Sequence, residues 1–346
     1  MHGSIHLFDR LPQVDALPRP APRAANDRTV SPVRSKPLVG LIRNDRSHRN
    51  MAQAHGDRHD DNIVLATPRR RSELADILSD FAQRGVDCIA IDGGDGTVRD
   101  VLTCGAGVFG ESWPPLIVLP HGKTNALAID LGIPSDWTLD DALVAMQRTV
   151  PARRQPLVVR QRGNARAQVH GFVLGAGAYN RAINLGQRSH DLGAFDSAVV
   201  FITALWSVAQ AVLGRSGNPW REGTRMRLRG PTGKDLPHRG GLPEDERYML
   251  FATTLGSLPA GLNPFRGISQ VLKVAVLDSA RRGLLLRLGS ILRGRAGEKT
   301  RAMGYHAFGE EALDMEIGDA FIIDGEAFPA GRYRISAGPK LRFVVP

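Results

Sequence analysis

The apolar run VDCIAID at positions 86–92 breaks directly into GGDGT at 93–97, and spacing suited to a helix follows at 98–104. A buried strand that ends in a glycine-rich turn and opens a helix belongs to a parallel sheet, because parallel neighbours need a crossover between them. The same alternation recurs on both sides. LVGLIRN at 38–44 and NIVLATP at 62–68 read as strands, and PLIVLP at 115–120 reads as another, followed by a loop and a helix from about Asn125. Between them, residues 72–84 put Leu74, Ile77, Leu78 and Phe81 on one helical face, with Ser72 placed as an N-cap. The expectation for this half is a mainly parallel, Rossmann-like sheet with helices on both faces.

The pattern changes near residue 151. Segments 155–162, 168–175, 225–230, 248–255 and 268–277 read as strands, as do 320–323, 333–336 and 341–345. This half is expected to be mostly β, a sandwich or open barrel. The organisation expected is a disordered tail at 1–36, rich in Pro, Ala and Arg from about residue 11, an α/β domain at 37–150 and a β-rich domain at 151–346. A chain of 346 residues has room for two such domains.

Composition excludes several classes. Two cysteines cannot build a disulfide framework, Cys88 and Cys104 are too far apart for a CxxC site, and no HExxH pattern occurs. With no apolar segment of signal-peptide type near Met1, the expected location is cytoplasmic. The net charge of +10 favours anionic partners, although the skew of 39 Arg to 6 Lys is what a GC-rich genome also produces. No basic stretch is interleaved with aromatics, so nucleic acid is not an expected partner. The 18-residue charge-free run at 197–214 contains Ser197, Thr203, Ser207 and Gln210, and it reads as a buried core helix or the wall of a greasy pocket rather than a membrane span.

Three segments carry candidate chemistry. In GGDGT, Gly93, Gly94 and Gly96 let the backbone approach an anion, and the N–H groups that open the next helix can hold phosphate oxygens. Asp95 is out of place among phosphate donors unless it meets a metal ion or takes a proton from a hydroxyl. In PHGKTNALA at 120–128, Gly122 permits a tight loop, Lys123 can neutralise phosphate, and Thr124 and Asn125 can donate hydrogen bonds or cap the helix. In DGE at 324–326, Asp324 and Glu326 would share one face of a strand, whereas Gly325 suggests a β-turn instead.

Taken in this order, the three segments resemble the diacylglycerol kinase catalytic family, which includes bacterial soluble lipid kinases and the sphingosine and ceramide kinases. RNDRSHRN at 43–50 is similar to that family's first-strand loop, with Asp45 in place of the usual proline and His48 where glycine is common. Ala126 stands where many members have Asp, and the segment that some bacterial members use for a structural metal is not recognisable at 263–277. The resemblance implies an α/β nucleotide domain, a β-rich lipid-binding domain and an active-site cleft between them. It implies ATP-dependent phosphorylation of a lipid hydroxyl, diacylglycerol or a related lipid, with Mg²⁺. Asn44, Gly93, Gly94, Gly96, Thr97, Gly122, Lys123, Thr124 and Asn125 would hold the nucleotide, Asp95 would bind metal or act as base, and Glu326 would be the general base with Asp324 beside it. The partner is a lipid at a membrane surface, reached by peripheral association, for which the Arg-rich stretch 215–229 is suited. No obligate protein partner is indicated, and a homodimer is compatible. The competing readings are a silent lipid- or nucleotide-binding homologue and a NAD kinase-like enzyme.

Overall fold

The strands β1 (Val39–Arg43), β3 (Cys88–Gly93) and β4 (Leu116–Pro120) are buried along nearly their whole length. That is the mark of strands covered on both faces, and it is why their sequences read as continuous apolar runs instead of alternating ones. The computed structural model describes residues 8–14, 36–46, 61–181 and 221–346. The apolar run at 197–214, His48 with the end of the first-strand loop, the Arg-rich stretch before residue 221 and most of the expected tail lie outside the described residues.

The chain divides into two units, Pro12–Arg154 with Pro339–Pro346, and Met1–Leu11 with Gln155–Gly338. In the first, the strand order is β2-β1-β3-β4-β18-β5, where β2 is Ile63–Ala66, β5 is Ala152–Arg154 and β18 is Leu341–Phe343. β1, β2, β3 and β4 pair in parallel. Helix α1 (Glu73–Arg84) buries Leu74, Leu78 and Phe81, each apolar side chain contributing about 1.5–3 kcal/mol. Phe81 lies over β1 at Gly40, where a β-carbon would stand 2.4 Å from its ring. Ser72 occupies the N-cap position but its side chain caps nothing; Glu73 instead accepts a hydrogen bond from the Arg69 amide at 2.8 Å. Helices α2 (Asp95–Phe109), α3 (Ala126–Leu131) and α4 (Leu139–Arg148) follow, the last started by a capping box between Thr138 and Asp141.

The second unit is β-rich, as expected. One sheet has the order β10-β9-β14-β17-β6-β7 and the other β13-β12-β11-β8-β15-β16. Their strands are β6 (Leu157–Gln161), β7 (Asn164–Gly171), β8 (Val173–Gly177), β9 (Thr224–Arg229), β10 (Glu246–Arg247), β11 (Met249–Thr253) and β12 (Leu272–Leu277). After short helices at Arg282–Leu285, Leu288–Leu292 and Glu298–Ala302 come β13 (Tyr305–Glu310), β14 (Ala312–Ile317), β15 (Phe321–Ile323), β16 (Glu326–Phe328) and β17 (Gly331–Ala337). Alternate residues of both sheets, among them Leu157, Leu174, Leu228, Val274, Met315, Phe321 and Ile335, form one hydrophobic core.

Three departures from the sequence reading have physical causes. The stretch 168–175 is two strands, not one: β7 pairs with β6 in one sheet and β8 with β11 in the other, and the chain changes sheet at Phe172. The final strand belongs to the α/β unit, since Phe343 pairs in parallel with Leu116, and Leu341, Arg342 and Phe343 pair antiparallel with β5. The β-rich unit therefore ends at Gly338, and the α/β unit runs through Arg154 and resumes at Pro339. Part of the expected tail is packed: Leu11 is 1% exposed, the Phe8 amide donates to the Ala327 carbonyl at 3.0 Å, and the Phe8 ring stacks on Phe328 at 5.1 Å.

Candidate functional site

β3 and β4 are neighbours in the parallel sheet, so the turns at their C-terminal ends lie side by side, at the edge where ligands bind in open α/β sheets. Gly94 is the extended N-cap of α2, whose first turn opens with Asp95, Gly96 and Thr97. Beyond β4, the loop 121–125 is closed by Asn125: its Oδ1 accepts from the Gly122 amide at 3.0 Å, and its Nδ2 donates to the carbonyls of Pro120 at 3.1 Å and Gly122 at 2.9 Å. Asn125 also takes the left-handed conformation, φ 51°, which asparagine tolerates better than most residues. Its side-chain amide builds the loop that carries Lys123 and Thr124.

The two turns touch backbone to backbone. A β-carbon on Gly122 would stand 2.3 Å from the Gly94 Cα, and one on Gly94 would stand 2.8 Å from the Gly122 Cα. Both glycines are thus required by the approach of one loop to the other. Asp95 completes the junction, its carboxylate accepting from the amides of Ala126 at 2.9 Å and Leu127 at 3.2 Å. It serves as a remote cap for α3. Burial pushes its carboxyl above the ordinary aspartate value, against the opposing pull of these amides and of the Arg99 guanidinium. Two accepted amides leave a carboxylate further lone pairs, and Asp95 fastens the start of α3 to the first turn of α2.

Asn44, at the end of β1, donates through Nδ2 to the Thr97 Oγ1 at 2.9 Å, and its own amide donates to the Asp92 carbonyl at 2.9 Å. Asn44, Gly93, Gly94, Gly96, Thr97 and Gly122 are therefore gathered at one edge of the sheet, with Lys123 and Thr124 exposed at the tip of the second loop. The sequence reading gave no role to Asp92, which organises this edge. It is buried, and it accepts from Arg43 Nε at 3.2 Å and pairs with His121 Nδ1 at 2.5 Å, tying the ends of β1, β3 and β4 together. A buried carboxylate beside a basic residue on the neighbouring strand was the available signal.

In the β-rich unit, Asp324 and Gly325 form the two-residue turn between β15 and β16, with Ile323 paired to Glu326. Both turn residues have positive φ, 44° and 83°, the pattern of a type I′ hairpin. The Asp324 carboxylate accepts from the Phe172 amide at 3.0 Å and the Val173 amide at 2.9 Å, where the chain passes from β7 to β8. A β-carbon on Gly171 would stand 2.4 Å from its Oδ2. The turn reading is the one realised: Asp324 pins the crossing between sheets and is not a second carboxylate on the face of Glu326. Glu326 itself begins β16 and is half-buried.

Known proteins share parts of this geometry. Residues 43–154 match the model of the diacylglycerol kinase catalytic domain. The resemblance read from the sequence stands for that segment, which holds both glycine loops. A probable lipid kinase YegS-like protein of Cronobacter sakazakii (strain ATCC BAA-894) is 35% identical over 89 residues, covering 26% of this chain and 30% of the relative. The matched stretch thus spans less than a third of that curated relative. Two crystal structures from Bacillus anthracis str. Sterne, one of a "putative diacylglycerol kinase" and one of a diacylglycerol kinase, superpose with TM-scores of 0.61 and 0.59. Each covers 90% of this chain and 98% of its own at 16% identity, a likeness of fold. The segment 43–154 thus resembles the diacylglycerol kinase catalytic domain in sequence, and the chain shares its fold with the two crystal structures.

The loops fit the phosphates of a nucleotide, since they offer backbone amides, a helix N-terminus, a lysine and a threonine. Among the described residues no three His, Cys, Asp or Glu side chains gather to hold a metal ion. Mg²⁺ is commonly held by one or two carboxylates and by the phosphates themselves, so it would be carried chiefly by the nucleotide. Among the described residues no helix is long and apolar enough to cross a membrane.

Proposed function

We propose that this chain is an ATP-dependent lipid kinase that transfers the γ-phosphoryl group to the hydroxyl of diacylglycerol or a related lipid. One observation carries the reading: two glycine loops on adjacent parallel strands meet at Gly94 and Gly122, within the segment that matches the diacylglycerol kinase catalytic domain. In this reading the α/β unit is a Rossmann-like nucleotide domain and the β-rich unit a sandwich-like lipid-binding domain. The enzyme works from the cytoplasm on lipid presented at a membrane surface.

Phosphoryl transfer asks for positioning and charge neutralisation more than covalent chemistry. The amides of Gly94, Asp95, Gly96, Lys123 and Thr124 hold the phosphate oxygens, the Lys123 side chain offsets their charge, and Thr97 and Thr124 orient them. Asp92 and Asp95 act through the loops: one ties the strand ends, the other holds α3 against α2. Glu326 is the general base. It takes the proton as the lipid oxygen bonds to the γ-phosphorus and the bond from that phosphorus to the bridging oxygen breaks, releasing ADP. Mg²⁺, bound with the nucleotide, would neutralise charge that develops on the phosphates.

The test is transfer of labelled γ-phosphate from Mg·ATP to diacylglycerol, monoacylglycerol, sphingosine, ceramide and phosphatidylglycerol in mixed micelles, with NAD as a control acceptor. A labelled lipid is the expected outcome. Labelled NAD would replace the lipid reading with the NAD kinase-like one. ATP binding with no labelled product from any acceptor would leave a silent binding homologue.

A further inference from the structure

In the β-rich unit a pocket of about 410 Å³ is lined by Arg221, Gly241, Leu242, Ser279, Ala280, Arg281 and Arg282. Three of its seven lining residues carry guanidinium groups and none carries a carboxylate. We infer that this pocket is a binding site for a phosphate-bearing anion, separate from the glycine loops and independent of the kinase reading.

The wall is built to hold one guanidinium in place. Arg281 donates through Nε to Ser279 Oγ at 3.3 Å and through Nη2 to the Arg239 carbonyl at 2.7 Å. Ser279 in turn donates to the Gly240 carbonyl at 3.2 Å. Both acceptors of Arg281 are neutral, and it makes no ion pair among the described residues. Only two of the five N–H donors of a guanidinium are engaged, so the charge and most of the donor fork remain available. The nearest acid in sequence, Asp278, does not supply the missing counter-charge. Its carboxylate is fully buried and is taken by Arg247, by His306 Nε2 at 2.8 Å and by the Arg239 amide at 2.8 Å.

The backbone leaves the space open. Gly241 has φ 93°, and a β-carbon there would stand 2.3 Å from Ser279 Oγ. Its volume falls in the range of small-molecule sites. A fixed guanidinium with neutral partners, as Arg281 has, matches the planar, multi-acceptor face of a phosphoryl group. Leu242 and Ala280 add an apolar margin suited to the carbon skeleton of an organic phosphate. The shared ligand chemistry is therefore the phosphoryl anion, whether free in solution or on a lipid headgroup.

Hydrogen exchange of the full-length protein tests this, read on peptides covering 239–247 and 278–282. Inorganic phosphate should slow exchange there in the wild type, and Arg281→Gln should weaken that response about tenfold, as expected for a lost hydrogen bond to a charged group. Arg282→Gln, at an exposed position, should weaken it as well, with the urea unfolding midpoint of both variants measured beside the exchange. Phosphate held by the glycine loops is read separately on peptides at 92–98 and 120–127, so failure of one site is distinguishable from failure of the other. Vesicles of phosphatidylcholine, with or without phosphatidic acid, identify the source. Protection by phosphatidic acid vesicles but not by soluble phosphate assigns a lipid headgroup; protection by soluble phosphate assigns a free anion. No slowing with either probe, or slowing that both variants leave unchanged, would overturn the inference.

Discussion

In the loop pair of the α/β unit, Asp95 accepts the amides of Ala126 and Leu127; in the hairpin of the β-rich unit, Asp324 accepts the amides of Phe172 and Val173. Each carboxylate joins a turn to a second segment of chain. Their surroundings differ. Asp95 sits where two glycines bring two loops into backbone contact, and the groups left facing outward are amides, Lys123 and Thr124. Asp324 sits in a type I′ turn, separated by Gly325 from Glu326 at the start of β16. An acid inside a motif is therefore not by that fact the chemical group: Asp95 and Asp324 both fasten backbone.

This comparison can be broken in several ways. The largest effect is expected for Glu326→Gln, which should lower turnover about 10²–10⁴-fold, the usual range for a general base, with an unchanged urea midpoint. Steady-state ADP release beside urea unfolding reads both, and a loss of stability instead of turnover would make Glu326 another fastener. Gly122→Val drives a side chain into the Gly94 backbone and should destabilise the α/β unit by about 3 kcal/mol, seen as a lowered unfolding midpoint and lost ATP binding. A fully stable variant would mean that the loops do not touch. Asp324→Ala leaves two amides without their acceptor and should cost about 2 kcal/mol in urea unfolding, with Asp324→Asn intermediate. Unchanged stability with lost turnover would restore Asp324 to the chemistry.

A smaller effect concerns pH. Burial, with the Arg160 charge adding to it, pushes the imidazole of His170 down from 6.5 to about 3. The folded chain keeps this ring neutral, whereas the unfolded chain protonates it below pH 6.5. Its contribution to stability is therefore full above pH 6.5 and declines as pH falls toward 3, by about 1.4 kcal/mol per pH unit. Urea unfolding between pH 7 and 5 should show this slope in the wild type and a shallower one in His170→Gln.

Much of the fold was legible because its signals are local. The continuous apolar runs of β1, β3 and β4 and the period-two alternation of strands such as β9 follow from burial on two faces or on one. What was not legible depends on partners distant in sequence. Nothing within 341–345 says that this strand pairs with Leu116 and Ala152–Arg154 of the α/β unit. The break of 168–175 at Phe172 is set by Asp324, some 150 residues away. The glycine loops were recognisable as a site, but the reason for Gly94 and Gly122 was only half seen: their mutual contact emerges when the two strands are placed side by side. Likewise Asn125 reads as a ligand donor until its own loop takes its hydrogen bonds.

In the proposed function the paired loops bind nucleotide phosphate through Lys123 and the surrounding amides. Equilibrium binding of a non-hydrolysable ATP analogue to the wild type and to Lys123→Met tests this, since Lys123 is exposed and the contact between Gly94 and Gly122 is made by backbone. The expected result is an affinity about tenfold weaker with an unchanged unfolding midpoint, as for loss of one charge-assisted contact. An unchanged affinity in Lys123→Met would contradict the account.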